Sequence, residues 1–312
     1  MKYLVLLLCT WFLFSCSHEK SSSGMVKWNE LTLAEKNIIE HKGTELAHSG
    51  EYNKHYEEGV YLCKRCDTAL FESSAKFDSK TGWPSFDDAI RDAVAEKSDF
   101  TRTEIVCNTC DGHLGHVFKG EGMTPKSTRH CVNSLSLKFL PEKNVNKAIF
   151  ASGCFWGTDY WLRQSPGVIS TLTGYTGGQV ESPDYRDVCT GTTGHYEAVE
   201  VSYDSEKVSY EDLAKLYFET HNPEQANGQG NDVGSQYLPA IFYLDESQKV
   251  TANKLLAELK AKGLQPATEL KPAVKFWPAE DYHQDYYRKN GKKPYCHFYN
   301  PMFKDGAKLG IE

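Results

Sequence analysis

Gly153-Cys154-Phe155-Trp156-Gly157 is the stretch from which the second half of the chain is read. A short apolar run with strand character, Ala148-Ile149-Phe150-Ala151, precedes it, and residues 158–164 read as the first turns of a helix. A cysteine at a strand-to-helix turn lies beside unpaired helix amides, which favour the thiolate. Phe155 and Trp156 supply an apolar wall, and the two glycines allow close approach of backbone or substrate. The competing reading is a cysteine buried in an aromatic core. The rest of the chain decides between them.

At 312 residues the chain is long enough for two domains, each with a core of its own. A net charge of -7 argues against nucleic acid as the main partner. The ten cysteines fall into groups. Cys9 and Cys16 are in a leader, Cys63, Cys66, Cys107 and Cys110 form two pairs, and Cys131, Cys154, Cys189 and Cys296 stand singly. That scatter fits a few reactive thiols better than a disulfide framework. The leader has Lys2 followed by an uncharged apolar run from Leu4 to Phe14, short for a membrane span. It stops at Leu13-Phe14-Ser15-Cys16, which resembles a bacterial lipoprotein signal. That resemblance implies a signal peptide over residues 1–15, lipidation of Cys16 and a flexible tether over 16–24. Phe14 is bulkier than is usual there, so secretion with Cys16 unmodified is the alternative. Either way the chain is expected in the cell envelope or outside it.

Residues 25–141 read as a mainly-β first domain. Thr32-Leu33-Ala34-Glu35 is a capping box that opens a helix ending at Gly43. Beyond it short alternating runs dominate, such as Val60-Tyr61-Leu62 and Ser134 to Phe139. Two well-separated C-x-x-C pairs, Cys63/Cys66 and Cys107/Cys110, have the spacing of two knuckles that hold one tetrahedral zinc. Disulfides or redox pairs are the alternative. A second group surrounds Cys131: Gly82-Trp83-Pro84-Ser85-Phe86, then His113-Leu114-Gly115-His116-Val117-Phe118, then Arg129-His130-Cys131-Val132-Asn133-Ser134. Strand alternation turns Arg129, Cys131 and Asn133 to one face. The arginine and the amide favour a thiolate, and His113 or His116 can donate a proton near neutral pH.

These motifs together resemble methionine sulfoxide reductase B over nearly all of residues 25–141. The resemblance implies that Cys131 is the nucleophile, that Trp83 packs on the substrate methyl, and that His113, His116, Arg129 and Asn133 assist. It also implies structural zinc on the four paired cysteines and action on the R epimer. One departure stands out. Many members carry a resolving cysteine just before the Gly-Trp-Pro run, where this chain has Thr81.

A short polar linker over residues 142–146 leads to a second domain, 147–312, that reads as α+β with helices on a mixed sheet. Ser209 to Asp212 caps one helix, Ile241 to Leu244 is a buried-type strand, Ser247 to Lys262 is an amphipathic helix, and Pro278 opens another through Arg288. In Gly194 to Tyr203, period two puts Glu197 on a face with Val199, Val201 and Tyr203. A carboxyl there is desolvated, so its pKa rises and it can serve as a general acid. The inverted assignment leaves Glu197 in solvent. The runs GCFWG, PDYRDVCTGTTGHYEAVEV, NDVGSQY and AEDYHQDYY, with a cysteine near the end, resemble methionine sulfoxide reductase A over residues 148–300. By that resemblance Cys154 is the nucleophile and Glu197 the acid. Tyr185 and Tyr237 bind the sulfoxide oxygen, Asp232 orients, and Phe155 with Trp156 holds the methyl. Cys296, on a mobile tail, is the resolving thiol and Cys189 is structural. Leu238-Pro239 follows Tyr237 where the family usually has arginine.

The combined expectation is reduction of both sulfoxide epimers in oxidised proteins and peptides, which need separate enzymes. Thiolate attack gives a sulfenic acid, then a disulfide that a thioredoxin-like protein reduces. Structural zinc and no organic cofactor are implied. Contact with a membrane is expected only through the lipid anchor. Two rivals are a cysteine hydrolase pairing Cys154 with His195 or His221, and a non-enzymatic lipoprotein that binds a partner. Neither accounts for two separate cysteine constellations.

Overall fold

A computed structural model describes residues 28–304. The leader, Cys16 and the tether lie outside the described residues. No described helix is long and apolar enough to cross a membrane.

In the N-terminal half the Thr32 capping box opens α1 (Leu33–Ile39), with both reciprocal hydrogen bonds to Glu35 made. Nine strands follow: β1 (Gly59–Cys63), β2 (Ala69–Glu72), β3 (Lys76–Phe77), β4 (Ser85–Phe86), β5 (Val94–Asp99), β6 (Arg102–Cys107), β7 (His113–Lys119), β8 (Thr128–Val132) and β9 (Leu137–Pro141). They form a three-stranded sheet, β2-β1-β9, and a six-stranded sheet, β3-β4-β8-β7-β6-β5, both antiparallel throughout. The core between them joins Tyr61, Leu70 and Phe71 from the small sheet to Phe86, Ile105 and Val132 from the large one. Residues 134–139 do not form one strand: Ser134–Ser136 is a 3-10 turn, and extended pairing begins at Leu137.

In the C-terminal half the elements are β10 (Val145–Ala151), α2 (Phe155–Leu162), β11 (Val168–Thr176), α3 (Tyr185–Cys189), β12 (Tyr196–Asp204), α4 (Tyr210–Glu219), β13 (Gly228–Gln229), β14 (Asp232–Val233), β15 (Ala240–Tyr243), α5 (Glu246–Ala261), β16 (Glu269–Pro272), β17 (Trp277–Pro278) and α6 (Tyr286–Asn290). The six-stranded sheet runs β16-β15-β10-β12-β11-β17 and is mixed, because β15 and β16 pair in parallel. Residues of α2, α4 and α5 bury one face, around Phe150, Val199, Val201, Leu213, Leu216 and Leu255. The other face, with Ile149, Ala198 and Phe242, is covered by Leu238, Ala273 and Phe276.

Pro278 does not open a helix. Trp277-Pro278 pairs as an edge strand on β11, Asp281–His283 is a 3-10 turn, and α6 starts only at Tyr286. An edge strand tolerates proline, which has no N–H to give to a ladder.

The halves touch. Ile169 packs on the cluster of Val60, Leu62, Ala69 and Leu140. Ion pairs link Lys207 to Asp67, Arg91 to Asp281 and Lys289 to Asp92, each at 2.6 Å.

Candidate active sites

In the C-terminal half Cys154 is the N-cap of α2, reached from β10 through Gly153, whose φ of 92° suits glycine. The thiol is 8% exposed. Burial pushes its pKa well above the ordinary value, and the Glu197 carboxyl pushes it further, against the opposing Trp156 amide. The helix amides therefore do not win at this cysteine; desolvation does.

Glu197 lies on the helix-covered face of β12 and is 1% exposed. Its Oε2 accepts from the Phe155 N–H at 3.2 Å, and Oε1 has no partner among the described residues. Burial raises its pKa to about 8. Phe155 is fully buried between Tyr175 and His283. Trp156 stacks on Tyr286 at 3.6 Å and donates its indole N–H to His283 Nδ1 at 3.1 Å. Tyr185 and Tyr237 hydrogen-bond one another, and burial next to Glu197 raises both phenols, Tyr237 to about 12.

Asp232, on β14, accepts from the Tyr295 hydroxyl at 2.6 Å and lies 3.7 Å from Cys296 Sγ. The segment carrying Cys296 is docked, not free. The thiol is 7% exposed, its carbonyl accepts from Gln229 Nε2 at 3.0 Å, and Gly230 packs against its Cβ. Burial first, then Asp232, raises its pKa to about 12. The neighbouring His297 is buried, with Nδ1 3.1 Å from Cys296 Sγ and Nε2 2.7 Å from the Ser152 carbonyl. Cys189 is exposed at the end of α3, in reach of the Tyr185 hydroxyl, rather than packed as a structural residue.

The histidines of the hydrolase reading are spent elsewhere. His195 has Nδ1 accepting from the Gly178 N–H and Nε2 donating to the Val180 carbonyl. His221 donates to the Tyr217 carbonyl at 2.6 Å.

In the N-terminal half Cys131 lies on β8 directly opposite Ser85 of β4 and His116 of β7. Burial raises its thiol, while Arg129 and the Thr81 hydroxyl pull it down. The Arg129 guanidinium is held by Glu121 through two hydrogen bonds, 2.7 and 3.0 Å, and lies over the Phe118 ring. Thr81 joins a chain of hydroxyls through Ser79 to Ser85, 2.8 Å at each link. His113 donates to Glu104 at 2.7 Å; burial lowers its pKa against that carboxylate, and its Nε2 has no partner among the described residues. His116 donates to Asp99 at 2.9 Å. Asn133 is committed to the backbone: its Oδ1 accepts from the Glu45 N–H and its Nδ2 donates to the Leu114 carbonyl. Trp83 is half-buried and donates to the Glu45 carbonyl at 3.1 Å.

Cys63, Cys66, Cys107 and Cys110 converge, with all four sulfurs within 4.8 Å of one another. Two matching turns build the group. Asp67 donates to the Cys63 carbonyl and Asp111 to the Cys107 carbonyl, each at 2.9 Å and with a left-handed aspartate. The sulfurs of Cys63 and Cys110 are 3.6 Å apart, those of Cys66 and Cys107 3.5 Å, and all four thiols are free. A disulfide needs about 2.05 Å. Four thiolates around a zinc at about 2.3 Å lie about 3.8 Å apart. The donor set fits a tetrahedral metal ion.

Sequence reasoning passed over His297, Tyr295, Gln229, His283 and Glu45. His283 lies inside the AEDYHQDYY run, Tyr295 and His297 flank Cys296, and Gln229 and Glu45 act from elements remote in sequence.

Each half thus sets a largely buried cysteine beside polar hydrogen-bonding groups, Glu197 near Cys154 and Arg129 with Thr81 at Cys131, the layout of a thiol-dependent oxidoreductase. Residues 146–308 match the family described as peptide methionine sulfoxide reductase, and residues 31–141 match the SelR domain. The first match spans more than half of the chain, which belongs to the peptide methionine sulfoxide reductase family, with a SelR domain ahead of it. The peptide methionine sulfoxide reductase MsrA of Nautilia profundicola is 51% identical over 150 residues, 48% of this chain and 87% of that one. Among solved structures, reduced Mxr1 from Saccharomyces cerevisiae is similar at 29% identity and a TM-score of 0.49, covering 51% of this chain and 94% of that one. Methionine sulfoxide reductase A of Corynebacterium diphtheriae is similar at 34% identity and 0.45, covering 55% and 84%.

Proposed function

We propose that the chain reduces both epimers of peptide methionine sulfoxide, the S form at Cys154 and the R form at Cys131. The observation that carries the reading is Glu197: a buried carboxyl, protonated at neutral pH, hydrogen-bonded to the residue after Cys154. A sulfoxide sulfur is electrophilic once its oxygen is protonated. Cys154 attacks that sulfur, and Glu197 gives its proton to the oxygen and regains one from the Cys154 thiol. Methionine leaves and Cys154 becomes a sulfenic acid. Tyr185 and Tyr237 hold the oxygen, Asp232 orients the site, and Phe155 and Trp156 hold the methyl.

Cys296 then attacks Cys154, releasing water and leaving a disulfide that a thioredoxin-like dithiol reduces. A cavity of about 280 Å³ beside Cys296, lined by Leu264, Phe298 and Met302, supports such an approach. In the N-terminal half Cys131 is the nucleophile, with Arg129 favouring its thiolate, His116 opposite it and Trp83 on the methyl. His113 and Asn133 hold the surrounding framework. The side chain at Thr81 is a hydroxyl, so an incoming dithiol reduces the Cys131 sulfenic acid: its first thiol forms a mixed disulfide and releases water, and its second displaces Cys131 as the dithiol closes to a disulfide. Zinc held by Cys63, Cys66, Cys107 and Cys110 is structural. The leader supports an envelope location with Cys16 lipidated, a point that the mass of the mature N-terminus checks.

The test is turnover of separated epimers of a methionine sulfoxide peptide with dithiothreitol. Cys131→Ser abolishes R turnover alone and Cys154→Ser abolishes S turnover alone. A folded wild type inactive on both epimers overturns the reading.

A further inference from the structure

The proton of Cys296 has two acceptors within reach, and they differ in kind. Asp232 Oδ2 is 3.7 Å from the sulfur and already accepts from Tyr295. His297 Nδ1 is at 3.1 Å. The state of that ring is fixed by its other side. A carbonyl can only accept, so the 2.7 Å contact with Ser152 puts the hydrogen on Nε2. Burial pushes the imidazole pKa down to about 4, so the ring is neutral and Nδ1 carries a lone pair directed at the thiol. The ring is 1% exposed and wedged on α2: a Cβ at Gly157 would come within 2.1 Å of Nδ1. Ser152 and Gly157 flank Cys154, so the base is fixed to the frame that holds the nucleophile.

We propose that His297 is the proton acceptor of the resolving step, taking the Cys296 proton through Nδ1 as Cys296 attacks the oxidised Cys154. This rests on the reading of Cys296 as the resolving thiol. The Cys296 S–H bond breaks and its proton moves to Nδ1. The S–S bond forms, the S–O bond of the sulfenic acid breaks, and the departing hydroxide becomes water with the proton from the imidazolium. The Cys154 sulfur is reduced, the Cys296 sulfur is oxidised, and no outside electrons enter. At rest the ring is too weak a base to ionise the thiol, which stays protonated and quiet. Transfer occurs only when a sulfenic acid offers an electrophile.

The experiment is a single turnover without reductant, in a Cys131→Ser background, on an S-sulfoxide peptide. Methionine released, dimedone-trapped Cys154 and the Cys154–Cys296 disulfide are each quantified by mass spectrometry. His297→Gln keeps an N–H for Ser152 and has no base at the Nδ1 position. We expect the methionine burst to be unchanged, disulfide formation to slow about 10²-fold and the trapped sulfenic acid to accumulate, which is the scale of a lost general base. His297→Asn gives the same pattern. Alkylation of Cys296 stays at the wild-type rate, which separates a lost base from an undocked segment. Four results overturn the proposal: wild-type disulfide rates in both variants, loss of the burst in both, slow disulfide formation in both with Cys296 freely alkylated, or slowing by Asp232→Asn alone. A wild type with a normal burst and no Cys154–Cys296 disulfide sinks the underlying reading instead.

Discussion

Burial decides what Glu197 can do. Its carboxyl is raised to about 8 from an ordinary 4.5, so the folded site holds a proton that the unfolded chain has lost at neutral pH. The sign follows from linkage. Between about pH 4.5 and 8 the folded state binds the extra proton, so this group makes the fold less stable as pH rises, with the full cost above 8. Glu197→Gln removes that cost and should stabilise the C-terminal half by roughly 3–5 kcal/mol at pH 9, with little change at pH 4. A melting series across pH measures it. The same variant should lose 10²- to 10⁴-fold in kcat on the S epimer, roughly the worth of a general acid. In the wild type, S-epimer turnover should fall as pH passes about 8. Glu197 was legible in the sequence because alternation puts it on a face with the apolar Val199, Val201 and Tyr203, and all four are buried, which removes the inverted assignment. His297 was not legible. Neighbouring residues in an extended chain point to opposite sides, so Cys296-His297 does not read as a pair. Only the irregular path of the segment brings Nδ1 back to the sulfur.

At the scale of the element, helix α2 does two jobs with one small residue. Gly157 is poor in a helix, where alanine is favoured by about 1 kcal/mol. It is needed because the imidazole of His297 occupies the space a Cβ would fill. Gly157→Ala should therefore leave α2 helical and expel the segment that carries Cys296. Alkylation of Cys296 should accelerate roughly tenfold or more, as for any locally opened segment, and disulfide formation should fail while methionine is still released once. Unchanged protection of Cys296 would mean that the segment is held without the ring. Elements with a strong local signal were readable in advance: the capping boxes of α1 and α4, the strand β10 ahead of Cys154, and α5 up to Gly263. The run from Pro278 to Arg288 was not. Proline at a helix start and proline on an edge strand look alike, and the choice was made by the exposed edge of β11.

For the whole molecule, the ion pairs between the halves are weak, and the four-cysteine cluster lies within the N-terminal half alone. The three ion pairs between them involve partly exposed groups, worth at most about 1 kcal/mol each. They lie on charged residues with no sequence pattern, which is why the docking could not be read beforehand, whereas the C-x-x-C spacing could. Cys63 ends β1 of the small sheet and Cys107 ends β6 of the large sheet, so a metal on the four sulfurs clips the two sheets of the N-terminal half together. Structural zinc in such sites is worth about 10–16 kcal/mol, comparable with the whole stability of a domain at about 5–15 kcal/mol. Removing one ligand should then unfold that half and spare the other. Cys66→Ser should release bound zinc to a chromogenic chelator, lose R-epimer turnover and lose one of two thermal transitions. S-epimer turnover should stay within about twofold of wild type, because ion pairs this weak pass little instability across the junction. If R-epimer turnover and both transitions survive with the metal gone, the sheets are held by the Tyr61–Phe71–Phe86 core alone. If S-epimer turnover falls in step with R-epimer turnover, the halves fold as one unit, and the apolar contacts of Val145 and Ile169 with the Val60 cluster carry more than the ion pairs do.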